Sequence, residues 1–169
     1  DNIKSNMVKS ICVTPNGEIF TGLFVNGLLQ YDSAGYYKRP KAYIEASSKL
    51  QSVYAMNNFS SNKIIYLNSY NICVYDFIQK RTIFRKEIPN DLFAFPSIIR
   101  VDGGYNFNSN TALYHIDSNY NLNEIAKFPD KTISCFSPRK NTFWIGTISD
   151  LFIYNTLTGK SRIINKNNH

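Results

Sequence analysis

The chain has 169 residues, 43% of them hydrophobic, and a formal net charge of +7. That length is enough for one domain with a buried core, so size alone demands neither a metal nor a disulfide staple. No stretch approaches the roughly 18 consecutive apolar residues of a helical membrane span, and the start at Asp1-Asn2-Ile3-Lys4 has no charged-then-apolar signal pattern. Twelve Tyr, 12 Phe and short Ile/Val runs, punctuated by Asn, Ser and Gly, predict an all-β chain of many short strands joined by tight turns.

Taken in chain order, these strands fall into four similar segments. The first has Val8–Val13, a Pro15-Asn16-Gly17 turn, Glu18–Gly22, a turn at Asn26-Gly27, and Leu28–Asp32. Next comes Ser52–Met56, a turn through Asn57 to Asn62, Lys63–Leu67, a turn at Asn68–Asn71, and Ile72–Asp76. The third is looser: Ser97–Val101, Gly103-Gly104, Tyr105–Phe107, Asn108–Asn110 and Ala112–Asp117. The fourth reads Ile133–Phe136, a turn from Pro138 to Asn141, Thr142–Thr147 and Leu151–Asn155.

Asp32, Asp76, Asp117 and Asn155 share one phase, about 40 residues apart, as four-stranded propeller blades require. A polar outer strand follows each: Tyr36–Lys38, Arg81–Arg85, Glu124–Lys127 and Ser161–Ile164. Charges there blunt an unpaired edge. Between Lys41 and Met56 a helix competes locally, through Ala42, Ala46, Leu50 and Val53, but the repeat phase favours a connection into an inner strand.

The expectation is therefore one partial β-propeller over 1-169, with four four-stranded antiparallel blades at about 7-45, 50-90, 95-129 and 131-166. Its ends fall between repeats, as expected of a piece cut from a larger propeller, by processing or by excision. Exposed faces of the first and last blades would pair with further blades or with a second copy as a homodimer.

Catalytic chemistry is hard to find. Of the two histidines, His115 lies in an apolar strand and His169 is terminal. Cys12, Cys73 and Cys135 sit in apolar runs without metal-ligand spacing and read as buried small residues. The aspartates recurring at one phase read as turn caps rather than as a glycosidase pair. No phosphate-binding glycine motif occurs, so no cofactor, no metal and no enzyme activity are expected. Basic groups at Lys38-Arg39-Pro40-Lys41, Lys80-Arg81, Arg85-Lys86 and Arg139-Lys140 read as solvated hairpin ends rather than as a nucleic-acid surface. Trp144 reads as core, and Asn58-Phe59-Ser60 is an N-glycosylation sequon.

Trp144-Ile145-Gly146-Thr147, then Leu151–Asn155 and Thr158-Gly159-Lys160, resemble the two-component-regulator propeller repeat. Asn16–Gly22 and Asn26–Asp32 match other parts of it, whereas Tyr66-Leu67-Asn68 and Tyr105-Asn106-Phe107 depart from it. The resemblance implies a periplasmic sensor segment of a hybrid two-component histidine kinase of the kind found in Bacteroides and its relatives. Such a segment would bind glycan fragments to regulate polysaccharide utilisation, and would reach the membrane only through other parts of its parent. A protein-interaction propeller, or a non-catalytic part of a polysaccharide-degrading enzyme, are the alternatives.

Binding residues are expected in loops between second and third strands and between blades: Asn26, Tyr70, Asn71, Asn108, Asn110 and Asp150. Amides pair with sugar hydroxyls while a ring covers the apolar sugar face.

Overall fold

The structure, a computed structural model, describes residues 7–24, 27–31, 37–38, 52–88, 93 and 95–164. Its strands are β1 (Val8–Val13), β2 (Ile19–Leu23), β3 (Gly27–Tyr31) and β4 (Tyr37–Lys38), then β5 (Val53–Ser60), β6 (Lys63–Asn68), β7 (Asn71–Asp76) and β8 (Arg81–Glu87). They continue with β9 (Ile98–Val101), β10 (Gly104–Asn108), β11 (Ala112–Asp117) and β12 (Leu122–Lys127), and end with β13 (Ile133–Arg139), β14 (Thr142–Thr147), β15 (Leu151–Asn155) and β16 (Lys160–Ile164). Each consecutive set of four forms one antiparallel sheet in sequential order. These are four blades of the propeller type. No helix among the described residues is long and apolar enough to cross a membrane.

The chain divides into two compact units, Asp1–Asn90 and Asp91–His169, with two blades in each. In the first, Phe20, Leu28 and Cys12 pack on Val53, Ile64, Tyr66, Cys73, Tyr75 and Phe77. This core joins one face of each blade, and the Phe20 ring meets those of Tyr75 and Phe77. Burial drives the Cys12 thiol up to about 11 and the Tyr75 phenol up to about 12, so both stay neutral. In the second unit, Leu113 packs with Ile133, Phe136, Phe143, Ile145 and Phe152. Phe128 closes this core edge-on against Phe152 and Tyr154.

The turn-cap reading of the recurring acid is correct at three positions. Asp76 accepts the N–H groups of Ile78 and Gln79, Asp117 those of Asn119 and Asn121, and Asn155 those of Leu157 and Thr158. Asp32 lies outside the described residues.

Motif glycines also have a packing reason. Gly22 and Gly146 occupy the same register, opposite a bulge in the inner strand of their blade. A Cβ on Gly22 would stand 2.5 Å from Ser10 Oγ and 2.6 Å from Val53 Cγ1, and one on Gly146 2.6 Å from Cys135 Sγ. Their neighbours already fill the place of a side chain.

Four expectations need correcting. The turn foreseen through Asn57 to Asn62 is mostly strand, because Asn58 belongs to the first core's rim: its Nδ2 donates to Val13 O at 2.6 Å and its Oδ1 accepts Cys12 Sγ–H at 3.2 Å. Its sequon amide is therefore engaged. The turn foreseen from Pro138 to Asn141 starts only at Lys140: Pro138 and Arg139 are strand, since β13 is an outermost strand of its sheet and needs no donor there. Trp144 is 41% exposed: Phe143 and Ile145 take the core side of β14, so strand alternation turns Trp144 to the other face. Cys135, across from Gly146 on that face, is exposed as well. Of the competing helical segment, Val53–Met56 lies in β5 and residues 39–51 are outside the described residues.

Candidate functional site

The second-to-third-strand turns are built by one repeated device. Asn68 Oδ1 accepts the N–H of Asn71 at 2.9 Å, Ser109 Oγ that of Ala112 at 3.1 Å, and Thr147 Oγ1 that of Asp150 at 2.9 Å. In each of these three blades the last residue of the second strand, or the one just after it, caps the turn three residues on. The candidate ligand residues sit within this device. Asn71 Nδ2 donates to Asn68 Oδ1 at 3.1 Å, and Asn110 O accepts Ile133 N–H at 2.7 Å. Asp150 Oδ2 accepts Lys131 Nζ at 2.6 Å and Ser149 Oγ at 2.9 Å. Those bonds, Lys131 foremost, hold the Asp150 carboxyl below the usual carboxylate range.

Asn108 stands in the register of Gly22 and Gly146, directly across from Leu113 as they are from Leu28 and Leu151. Its side chain therefore points at the start of its own inner strand. It is 0% exposed: Oδ1 accepts Ser97 N–H at 2.8 Å, and Nδ2 donates to Phe95 O at 3.1 Å and Ser109 O at 3.0 Å. This amide braces the blade and does not reach solvent. Tyr70, by contrast, is 51% exposed at the tip of its turn. Within the second unit the Lys131–Ile133 segment links the Asn110 and Asp150 turns. Asn26 lies outside the described residues.

A second feature lies at the opposite strand ends of the second unit. A cleft of about 640 Å³ opens between its two blades. Asn106, His115 and Ile125 form one wall, Pro138 and Phe143 the other, and Arg100, Asp102, Arg139 and Lys140 the rim. Asn106 and His115 are cross-strand partners, and their side chains join at 2.8 Å. An amide oxygen only accepts, so His115 Nδ1 carries the proton. The turn bearing Arg139 and Lys140 is held from the next hairpin, where Thr156 N–H and Oγ1–H both donate to Asn141 O.

Among the described residues no ion pair joins Arg100, Arg139 or Lys140 to an acid, Asp102 included. The cleft thus combines apolar walls, an amide–imidazole pair and a cationic rim. Sequence reasoning treated Arg139-Lys140 as a solvated hairpin end and His115 as a structural residue. The signal available was that Arg139 ends the inner strand of its blade and Arg100 stands one residue before the end of its own, so adjacent blades bring them to one end. Among the described residues no group of three or more His, Cys, Asp or Glu is placed to hold a metal ion.

No family model and no curated protein sequence matches the chain. Solved structures do. The extracellular domain of BT4673 from B. thetaiotaomicron, assigned to a hybrid two-component system, superposes with a TM-score of 0.72 at 17% identity, over 98% of this chain and 22% of that one. The extracellular domain of BT3049, from the same organism and with the same assignment, gives 0.71 at 16% identity, over 99% and 24%. Virginiamycin B lyase from Staphylococcus aureus gives 0.65 at 16% identity, over 94% and 55%. This chain spans less than a quarter of the two extracellular domains. At such identities the likeness is one of fold, and a fold shared by receptor domains and a lyase does not select a function. The chain has the four-stranded-blade fold of these extracellular domains.

Proposed function

We propose that the chain is an extracytoplasmic ligand-sensing propeller segment of a hybrid two-component sensor, and that its ligand is a glycan fragment. The observation that carries this reading is the cleft of the second unit, whose apolar walls and polar donors suit a sugar's two kinds of surface. The likeness to extracellular domains of two-component systems supports the setting. Signal output would belong to other parts of the parent, and the ligand would act by preferring one of two arrangements of that parent. Tyr70, exposed at the tip of its turn, is proposed as a separate sugar contact of the first unit, whereas Asn108 spends its amide on bracing its own blade.

Calorimetry of the full chain with a panel of neutral and acidic disaccharides tests the reading. Heat of binding from at least one sugar, lost in a Phe143→Ser variant that stays folded, is the expected result. Silence across the panel, with tight binding to a protein from the source cell, would overturn it.

One observation favours an additional contact with polypeptide. Ile11, Val13 and Ile19 lie exposed on one face of the first blade, and Trp144 and Leu151 on one face of the fourth. We propose that a further blade of the same propeller covers each, since the similar extracellular domains are more than four times longer than this chain. A longer piece of the parent should shield Trp144 from a fluorescence quencher that reaches it here. Equal quenching in both would reject the idea.

A further inference from the structure

The cleft's chemistry is more specific than sugar binding in general. Three cations, Arg100, Arg139 and Lys140, stand around it against one carboxylate, Asp102. None of these side chains has an ion-pair partner among the described residues. Surface cations usually point into water at random. Here they come from the ends of two hairpins in two blades, and the Lys140–Asn141 turn is fixed by the bond from Thr156 N–H to Asn141 O.

Beneath the rim lies a polar floor. Asn106 is 6% exposed, and its Oδ1 is committed to His115 Nδ1. Its Nδ2 has no partner among the described residues, although it lines the cleft. It is not one of the buried polar atoms left without a partner, so it reaches the solvent of the cleft, where a ligand oxygen can replace water as its acceptor. Phe143, Pro138 and Ile125 offer an apolar wall to the C–H face of a ring. The volume, about 640 Å³, suits a ligand of about two sugar rings and is far more than a bare inorganic anion needs.

We infer that this cleft binds an acidic saccharide, with the carboxylate at the Arg100–Arg139–Lys140 rim and a ring oxygen or hydroxyl on Asn106 Nδ2. Arginine is suited to the task because its planar fork takes a carboxylate through two parallel bonds. The assignment rests on the glycan-sensing reading above and narrows it to sugars bearing a negative charge. It also places the site at the strand ends away from Asn110 and Asp150.

Titration calorimetry of the full chain with digalacturonic acid, galactobiose and inorganic phosphate tests it. Digalacturonic acid should bind, galactobiose should bind at least ~10-fold more weakly, and added salt should erase much of that gap. Arg139→Gln and Arg100→Gln should each weaken the acidic sugar by ~10-fold, with melting temperature unchanged because both side chains are exposed. Asn106→Asp, which replaces the donor with a second charge, should abolish binding, and its NMR spectrum will show whether the fold is retained. Galactobiose binding as well as the acid would overturn the inference and leave the glycan reading standing. Phosphate competing as tightly as the disaccharide, with no sugar preferred, would overturn both. Acid binding untouched by either arginine change would place the ligand elsewhere and reject this site.

Discussion

The two ends of the second unit's sheets use polar residues in opposite ways. At the end with the second-to-third-strand turns, Asn108, Ser109, Thr147 and Asp150 bond to backbone or to Lys131. At the other end, Arg100, Arg139 and Lys140 gather without an ion-pair partner among the described residues. Both ends are rich in residues that could touch a sugar. Only the second leaves charge uncompensated around a concavity. Polar side chains that complete a fold have already made their bonds, whereas those awaiting a ligand remain unspent.

The comparison can be pressed hardest at Gly104, at the cleft end. Its missing Cβ would fall on the backbone oxygen of Ile116, with Asp117 Cα 2.9 Å away. Both of these nearest atoms are backbone of β11, which has nothing flexible to yield. Gly104→Ala should therefore cost about 3 kcal/mol or more, read from urea midpoints, while Arg139→Gln at the same end should shift stability by less than about 0.5 kcal/mol. If the arginine change proved the costlier of the two, the rim would be structural and the contrast between the ends would collapse.

Asn108 is the next test. Asn108→Ala strands the N–H of Ser97 and the carbonyls of Phe95 and Ser109, a loss of about 2 kcal/mol. Asn108→Gly installs the residue that the first and fourth blades carry at this register. It should nonetheless fare no better than alanine in the same denaturation assay, because the brace is the amide itself. A glycine variant as stable as the parent would show the blade can close without it.

These residues also mark how far the sequence could be read. The four-stranded repeat was legible because strand alternation, turn residues and the recurring Asp76, Asp117 and Asn155 caps are local, and each follows from a few neighbouring positions. Asn108 was not, since a turn asparagine and an asparagine replacing a motif glycine look alike until register is known. Trp144 misled for a related reason: the motif fixes its position in the strand, but which sheet face has a neighbour depends on what else is present. The cleft was hidden most completely. Its walls come from residues 106, 115, 138 and 143, and only the packing of one blade on the next makes them adjacent.

The smallest effect, and the one that separates the two ends by pH, belongs to Asp150. Its folded-state carboxyl is held below the ordinary value of 3.8, chiefly by the hydrogen bond from Lys131 and then by that from Ser149. A depressed acid stabilises the fold above its unfolded value, and that contribution is lost as pH falls through the lower folded value. Asp150→Asn should therefore melt slightly below the parent at neutral pH, and the two curves should draw together as pH falls below 3.8. The pair is partly exposed, so concentrated salt should narrow the gap as well. Lys131→Ala should follow the same profile, and the double variant should add little to either. Sugar affinity should stay unchanged in all three at neutral pH, because the cleft lies at the far ends of these strands. A large drop in affinity would instead assign Asp150 to the ligand, and polar groups at the satisfied end would then have both roles at once.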